Sequence, residues 1–325
     1  MIDPDSRCAV AVLAAGKGTR MRSDVPKVLH ELAGRPLLDH VLDLALAVAR
    51  PHDVVVVVGH GADAVTELVR GRGVTEIVQE PQLGTGDALR VALAGLEGRP
   101  SGRLVVLSGD VPLLRPDTVR RLLAELDRGA AAALLTAELD DPGSYGRVVR
   151  AEDGTVAEVV EAGDAPPDRL AIREVNAGIY AFERTVVAEA LAELGRDNVQ
   201  GEYYLTDVAA ALRRRGLRVA AVRLDDPAEM QGVNSRADLA DAERALNAKV
   251  LEALMAAGVT IRDPRSVWVD PRAEVGRDAV LEPGVVLRGS CRVGAGARIG
   301  ANSVLVDAAV GPGETVAPLT YLTGE

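Results

Sequence analysis

Cysteine, lysine and histidine are scarce in this chain, and each scarcity excludes something. Only Cys8 and Cys291 occur in 325 residues, too few and too far apart for the disulfide framework of a small secreted fold. Lysine occurs three times among 37 basic residues, at Lys17, Lys27 and Lys249. The four histidines, His30, His40, His52 and His60, all lie in the first sixty residues. The C-terminal region therefore lacks the usual general base for acyl transfer. Long apolar runs are missing too. The opening Met1-Ile2-Asp3-Pro4-Asp5 is acidic and the apolar stretch behind it is short, so neither a secretory leader nor a span of about 20 apolar residues is expected. A soluble, cytoplasmic protein is the expectation. A net charge of -11 argues against general nucleic-acid or anionic-membrane partners, which need a spread of positive charge. Any anion bound here needs a local cationic site.

The length allows two domains, since single cores stop growing at roughly 250 to 300 residues. Up to residue 236, buried-strand runs alternate with helical patterns: Ala9 to Leu13, Val54 to Val58 and Leu104 to Leu107 read as strands, Pro36 to Ala49 and Ala62 to Val69 as helices. That order predicts an α/β domain of βαβ units with a mostly parallel sheet. Ligands of such sheets bind at the carboxyl ends of the strands, near the topological switch point. A helix from about Asp238 to Ala257 places Leu239, Ala242, Leu246, Val250 and Leu254 on one stripe, with Gly258 as its C-terminal cap. It reads as a connector, residues 237–258, between domains 1–236 and 259–325.

Beyond the connector the period changes to six. Val269, Val275, Leu281, Leu287, Val293, Ile299 and Leu305 fall six apart without a miss, and after a one-residue slip Val310, Val316 and Leu322 resume the spacing. Hexapeptide repeats are the signature of a β-helix solenoid. Three hexapeptides per turn give about three coils.

The stretch LAAGKGTRM, residues 13 to 21, follows the first strand and is both glycine-rich and basic. It misses the Walker spacing, and Met21 stands where a dinucleotide fingerprint needs its third glycine. What remains is Gly16 and Gly18, which allow close backbone approach, and Lys17, Arg20, Arg22 and Lys27 nearby. A triphosphate would supply the anion these cations need; a solvated basic turn is the alternative. The strand ending in Ser108-Gly109-Asp110 puts a carboxylate at the sheet edge, where it could hold Mg²⁺ with substrate phosphates or cap a turn. Gln79 offers an amide to a base edge, and Gly84-Thr85-Gly86 could let backbone approach a planar ligand or start a helix. Gly146, Glu161, Asn176 and Asn234 each place a polar group beside an apolar stretch, as sugar recognition or an ordinary turn would.

Taken in order, LAAGKGTRMRSDVPKVLHELAGRPLLDHV, QLGTG, LSGDVPL, DDPGSYGRV, REVNAGIYAF, GEYYLTDV and GVNSRADLA resemble the bacterial bifunctional N-acetylglucosamine-1-phosphate uridyltransferase and glucosamine-1-phosphate acetyltransferase family (GlmU). The resemblance runs from about Arg7 to the end. It implies a Rossmann-like nucleotidyltransferase domain, a connecting helix and a short left-handed parallel β-helix that in the family assembles as a homotrimer. It also implies UTP and a sugar 1-phosphate as substrates. Leu13, Ala14, Ala15 and Gly16 would lie on the uracil and ribose side of UTP, with Gly18 in the same loop, Arg20 near the triphosphate and Lys27 on a phosphate. Gln79, Gly84 and Thr85 would read the base; Asp110 and Asn234 would hold Mg²⁺ with Ser108 and Gly109 beside them; Gly146, Glu161 and Asn176 would contact the sugar.

Three departures qualify the resemblance. The family usually carries Gly-Thr-Gly-His where this chain has Asp87, and often a basic or polar pair where this chain has Ala162-Gly163. The family's second active site lies in coils beyond residue 325, so no acetyltransferase activity is expected. The rival expectations are the same reaction on another sugar 1-phosphate or nucleotide, and a non-catalytic nucleotide-sugar scaffold.

Overall fold

The computed structural model describes residues 8–16, 18–59 and 63–324. It divides into two units, residues 1–30 with 36–235 and residues 31–35 with 236–325. Lys17, one of the loop cations, and Ala62, the expected start of a helix, lie outside the described residues.

The first unit is built on a nine-stranded sheet among the described residues. Its strands are β1 (Cys8–Leu13), β2 (Val54–Gly59), β3 (Thr75–Gln79), β4 (Arg103–Ser108), β5 (Ala132–Glu138), β6 (Arg147–Arg150), β7 (Val156–Val160), β8 (Glu174–Glu183) and β9 (Val219–Arg223). The order across the sheet is β9-β5-β8-β4-β1-β2-β3, with β6 beside β8 and β7 beside β6. β1 pairs in parallel with β2 and β4, as the βαβ pattern predicts. β8, which the sequence pattern did not resolve, runs antiparallel between β4 and β5. The chain moves outward from β1 to β2 and β3, then returns to place β4 on the other side of β1. The switch point therefore lies between β1 and β4, and a crevice at their carboxyl ends is the place for a ligand.

Period-two alternation divides each buried strand between two cores. Val54, Val56 and Val58 of β2 face one cluster with Val10 and Val12; Val55 and Val57 face the other with Ala9 and Ala11. Helices α1 (Leu37–Val48), α2 (Asp63–Gly71) and α4 (Pro116–Asp127) cover the first face. Helices α3 (Thr85–Gly95), α5 (Arg184–Ala192) and α6 (Asp207–Arg214) cover the second. Each fully buried valine contributes on the order of 1.5 to 3 kcal/mol, enough to fix the register of the central strands.

In the second unit α7 (Arg236–Ala256) leads into the repeat. Its expected apolar stripe is only partly realised: Ala242 and Leu251 are buried, while Leu239, Leu246, Val250 and Leu254 are half-covered. Leu251 is the residue that enters the solenoid core, with Val250 and Leu254 against it. Asn247 adds a polar clamp that periodicity does not reveal. Its amide donates to Val267 O (2.9 Å) and accepts from Val269 N (3.0 Å).

The six-residue period becomes three stacked parallel sheets of two- and three-residue strands. Trp268 pairs with Val286 and Val286 with Val304, so one coil takes 18 residues, or three hexapeptides. The slip after Leu305 appears as Val304 pairing with Tyr321, a coil one residue shorter. Val269, Leu281, Leu287, Val293, Ile299 and Leu305 are buried in one core, and Val275, Val316 and Leu322 pack against it.

Candidate active site

The carboxyl ends of β1 and β4 are tied together as the chain leaves them. Ala14 N–H donates to Val57 O (2.8 Å) and Gly109 N–H to Leu13 O (2.9 Å). The loop after β1 and the Ser108-Gly109-Asp110 turn consequently line one cleft of about 590 Å³. Gly16 contributes open backbone, with nothing within 4 Å of where a Cβ would stand. Gly18 is constrained instead: its φ is +60°, and a Cβ there would fall 2.5 Å from Lys27 Cβ. Glycine at 18 lets Lys27 seat against the loop. Met21, which breaks the dinucleotide fingerprint, is buried and anchors the single-turn helix Thr19–Met21.

Lys27 is the electrostatic centre. Its Nζ lies 2.5 Å from Asp110 Oδ2 and 3.0 Å from Asn234 Oδ1, with the lysine and aspartate side chains only 12% and 18% exposed. Val233 N–H donates to Asp110 O (2.9 Å), which holds the segment carrying Asn234 against the β4 turn. Two hard oxygens thus converge on a single cation, the donor type and arrangement that Mg²⁺ accepts. Among the described residues no group of three or more His, Cys, Asp or Glu is placed to hold a metal. An ion at this pair would complete its shell from phosphates and water.

On the opposite wall, Gln79 is buried at the end of β3. Its Nε2 donates to Asp87 Oδ2 (2.8 Å) and Gly84 O (3.1 Å). The amide orientation is set by these bonds, leaving Oε1 as the atom free of them. Asp87, the departure from the usual histidine, is therefore a partner of the base-reading candidate. α3 begins at Thr85, with Gly84 at φ 108° before it. A Cβ on Gly84 would meet Tyr203 O at 2.6 Å and Glu202 Cβ at 2.8 Å. Tyr203 N–H donates to Leu83 O, Gly86 N–H to Tyr203 O (both 2.8 Å), and Leu205 N–H to Thr85 Oγ1 (3.1 Å). Thr85 serves this clamp as well as lining the cleft.

A further polar cluster, apart from the residues lining that cleft, comes from β8. Its pairing with β5 shifts between Asn176 and Tyr180, around Gly178 at φ +74°. The bulge turns the Asn176 amide onto Tyr180 OH (2.7 Å) and brings Gly178 O to 3.4 Å from Ser108 Oγ. Asn176 N–H donates to Gly146 O (2.9 Å). Glu161 Oε2 lies 3.5 Å from the position of a Gly146 Cβ, so the three sugar-side candidates form one cluster. Burial pushes the Glu161 carboxyl above its ordinary value of 4.5; the hydroxyl of Thr206, donating at 3.0 Å, opposes this and Asp207 and Asp164 reinforce it. Burial and Asp164 likewise raise Asp207. Tyr204, desolvated and bonded to Asp164 Oδ2 (3.2 Å), is pushed up to about 12. This cluster is acidic.

Leu13, Ala14, Ala15, Gly16, Gly18, Lys27, Gln79, Gly84, Thr85, Ser108 and Asp110 line the cleft. Gly109 and Asn234 join it through the bonds described above. Arg20 is exposed and lies outside that lining, as do Gly146, Glu161 and Asn176. Gln82 and Glu202 also line it, and sequence reasoning missed both; Gln82 Nε2 donates to Ala15 O (2.7 Å). The GEYYLTDV segment held the available signal for Glu202, Tyr204 and Thr206, but lies over a hundred residues from the loop it clamps.

Together with its similarity to known proteins, the fold and cleft make this an NTP transferase domain. The chain belongs to the family of MobA-like NTP transferase domains, matched over residues 10–214, and residues 272–307 match the bacterial transferase hexapeptide repeat. It is 47% identical over 314 residues to a protein of Mycobacterium sp. (strain KMS) named Bifunctional protein GlmU, covering 95% of this chain and 63% of that one. Proteins of the same name from Kineococcus radiotolerans (48% identical, 96% and 64% covered) and Thermobifida fusca (47%, 93% and 64%) are similarly related. The chain spans a little under two thirds of the length of these relatives. No described helix is long and apolar enough to cross a membrane.

Proposed function

We propose that the protein is a Mg²⁺-dependent uridylyltransferase that converts UTP and N-acetylglucosamine 1-phosphate to UDP-N-acetylglucosamine and pyrophosphate. The observation that carries this is the Lys27 ammonium held by Asp110 and Asn234, in a nucleotide-sized cleft at the switch point. A phosphate oxygen of the sugar 1-phosphate attacks the α-phosphorus of UTP, the bond from that phosphorus to the bridging β-oxygen breaks, and pyrophosphate leaves with its electrons. The attacking phosphate is already ionised at neutral pH, so catalysis reduces to positioning and charge stabilisation. Lys27 offsets charge on the non-bridging oxygens, with Arg20 serving the departing pyrophosphate. Gln79 Oε1 accepts the N3–H of uracil, and Gly84 and Thr85 hold the base. Asp110 and Asn234 would hold Mg²⁺, which when bound neutralises phosphate charge. Gly146, Glu161 and Asn176 orient the sugar.

The acidic cluster of Glu161, Asp164 and Asp207 favours a second reading, the same transfer to an amino-sugar phosphate bearing a free ammonium. Pyrophosphate release measured across UTP, CTP, ATP and dTTP with N-acetylglucosamine, glucosamine and glucose 1-phosphates separates the two. Release with no pair would support the scaffold alternative and overturn both. Residues 259–325 contain no histidine, and we propose that this chain transfers no acetyl group. Free CoA from glucosamine 1-phosphate and acetyl-CoA above background overturns that. Assembly as a homotrimer through the hexapeptide coils, and residence in the cytoplasm, belong to the same proposal; sedimentation tests the former.

A further inference from the structure

A second cavity, of about 650 Å³, lies apart from the cleft, between the C-terminal half of α3, the turn before β4, and α5. Its walls carry Arg90, Arg99 and Arg184, all half-buried. In a chain with 48 acidic residues against 37 basic ones, arginines elsewhere find carboxylates readily: Arg72 meets Asp39 and Asp43, and Arg215 meets Glu189 and Glu193. These three do not. Among the described residues Arg90 donates to Leu191 O and stacks on Tyr203, 4.1 Å from the ring centroid. Arg99 donates to His52 O and Thr75 Oγ1 (3.0 Å). Arg184 reaches the carbonyls of Arg99 (2.9 Å) and Leu96 (2.5 Å).

Carbonyls orient a guanidinium without neutralising it, and each guanidinium has five N–H donors, of which these bonds use only some. Three half-buried, fixed and uncompensated positive charges carry a desolvation cost that an anion would relieve. Leu93, Ala94, Pro100, Ala188 and Ala192 supply an apolar wall beside them, and Glu97, exposed, is the one carboxylate in the lining among the described residues.

We propose that this cavity is a second ligand site, for a phosphate ester whose apolar or ring body lies on that wall while its phosphate takes the three guanidiniums. Planar, multidentate donors suit a phosphate better than a point charge does. The site lies apart from the nucleotide cleft and is joined to it by α3 and by Tyr203, on which Arg90 stacks and whose backbone bonds Leu83 and Gly86.

Calorimetric titration with phenyl phosphate and with inorganic phosphate tests it on the intact chain. Phenyl phosphate binds more tightly than inorganic phosphate, because only it covers the apolar wall; equal affinity overturns the proposed ligand class. Ala94→Glu, on an exposed helical position, weakens phenyl phosphate by about tenfold or more through like-charge repulsion, and Glu97→Gln tightens it by about threefold. Lys27→Ala, which alters only the cleft, leaves it unchanged. Absence of binding overturns the site, as does binding that ignores Ala94→Glu and Glu97→Gln or disappears in Lys27→Ala.

Discussion

Lys27 and Asp110 form a half-buried ion pair 2.5 Å long, and Asn234 completes it from the far end of the unit. The protein keeps a positive charge of its own at the point where two oxygens converge. A divalent ion reaching those oxygens competes with the ammonium. In Lys27→Ala that competition is gone, so Mn²⁺ added without nucleotide binds more tightly than to the native protein, by titration calorimetry. Turnover moves the opposite way, falling by about 100-fold or more as a preorganised positive charge is lost. Weaker Mn²⁺ binding in the variant contradicts the shared position.

Gly18→Ala tests how the lysine is seated. A methyl group at φ +60° costs about 1 to 2 kcal/mol in backbone strain and displaces Lys27 Cβ, 2.5 Å from it. Stability by chemical denaturation drops by that modest amount, while kcat falls at least tenfold, since a small misplacement of a charge is expensive in rate. A kcat within about twofold of the native value, alongside the same loss of stability, would point to a merely structural glycine.

The acidic cluster of Glu161 and Asp207 gives stability a pH dependence with a defined sign. Burial raises the folded-state pKa of Glu161 above 4.5 and of Asp207 above 3.8, so the folded protein holds more protons than the unfolded chain in the interval between those ordinary values and the raised ones. Stability therefore decreases as pH climbs through that interval. Glu161→Gln cannot ionise, and its melting temperature gains on the native protein as pH rises from 4.5 to 7. A variant that loses ground to the native protein as pH rises sinks the assignment. The same variant raises KM for the sugar phosphate if Glu161 touches it.

Asp87 orients Gln79 across 2.8 Å. Asp87→Ala frees the amide to rotate and present either edge, so the preference for UTP over CTP shrinks and KM for UTP rises by about tenfold or less, on the order of one hydrogen bond. An unchanged UTP to CTP ratio means that Gln79 does not read the base.

The solenoid was legible because a repeat averages over coils: any one of Leu281, Leu287 or Val293 is weak evidence, while their common phase is strong. The β1 loop was legible because strand, glycines and cations are contiguous. The Lys27, Asp110 and Asn234 cluster joins positions 83 and 207 residues apart, and no local pattern states that distance. The resemblance named the members of that cluster, but the lysine's position between the two oxygens came from the structure. The β8 bulge that unites Asn176, Tyr180 and Ser108 was invisible for a similar reason, as antiparallel insertion beside β4 is a choice of tertiary pairing. The helix stripe misled at Leu246 because Asn247 and Leu251, not the ideal heptad positions, meet the first coils.

Residues 31–35 leave the first unit only four positions after Lys27 and group with the second. Ala33 N–H donates to Glu243 of α7 (2.9 Å), and Leu32 is fully buried. A fragment ending at Ser235 would keep this short ribbon and lose the carboxylate it is fastened to. The chain crosses between the units three times, at 30/31, 35/36 and 235/236, so no single cut releases both units whole.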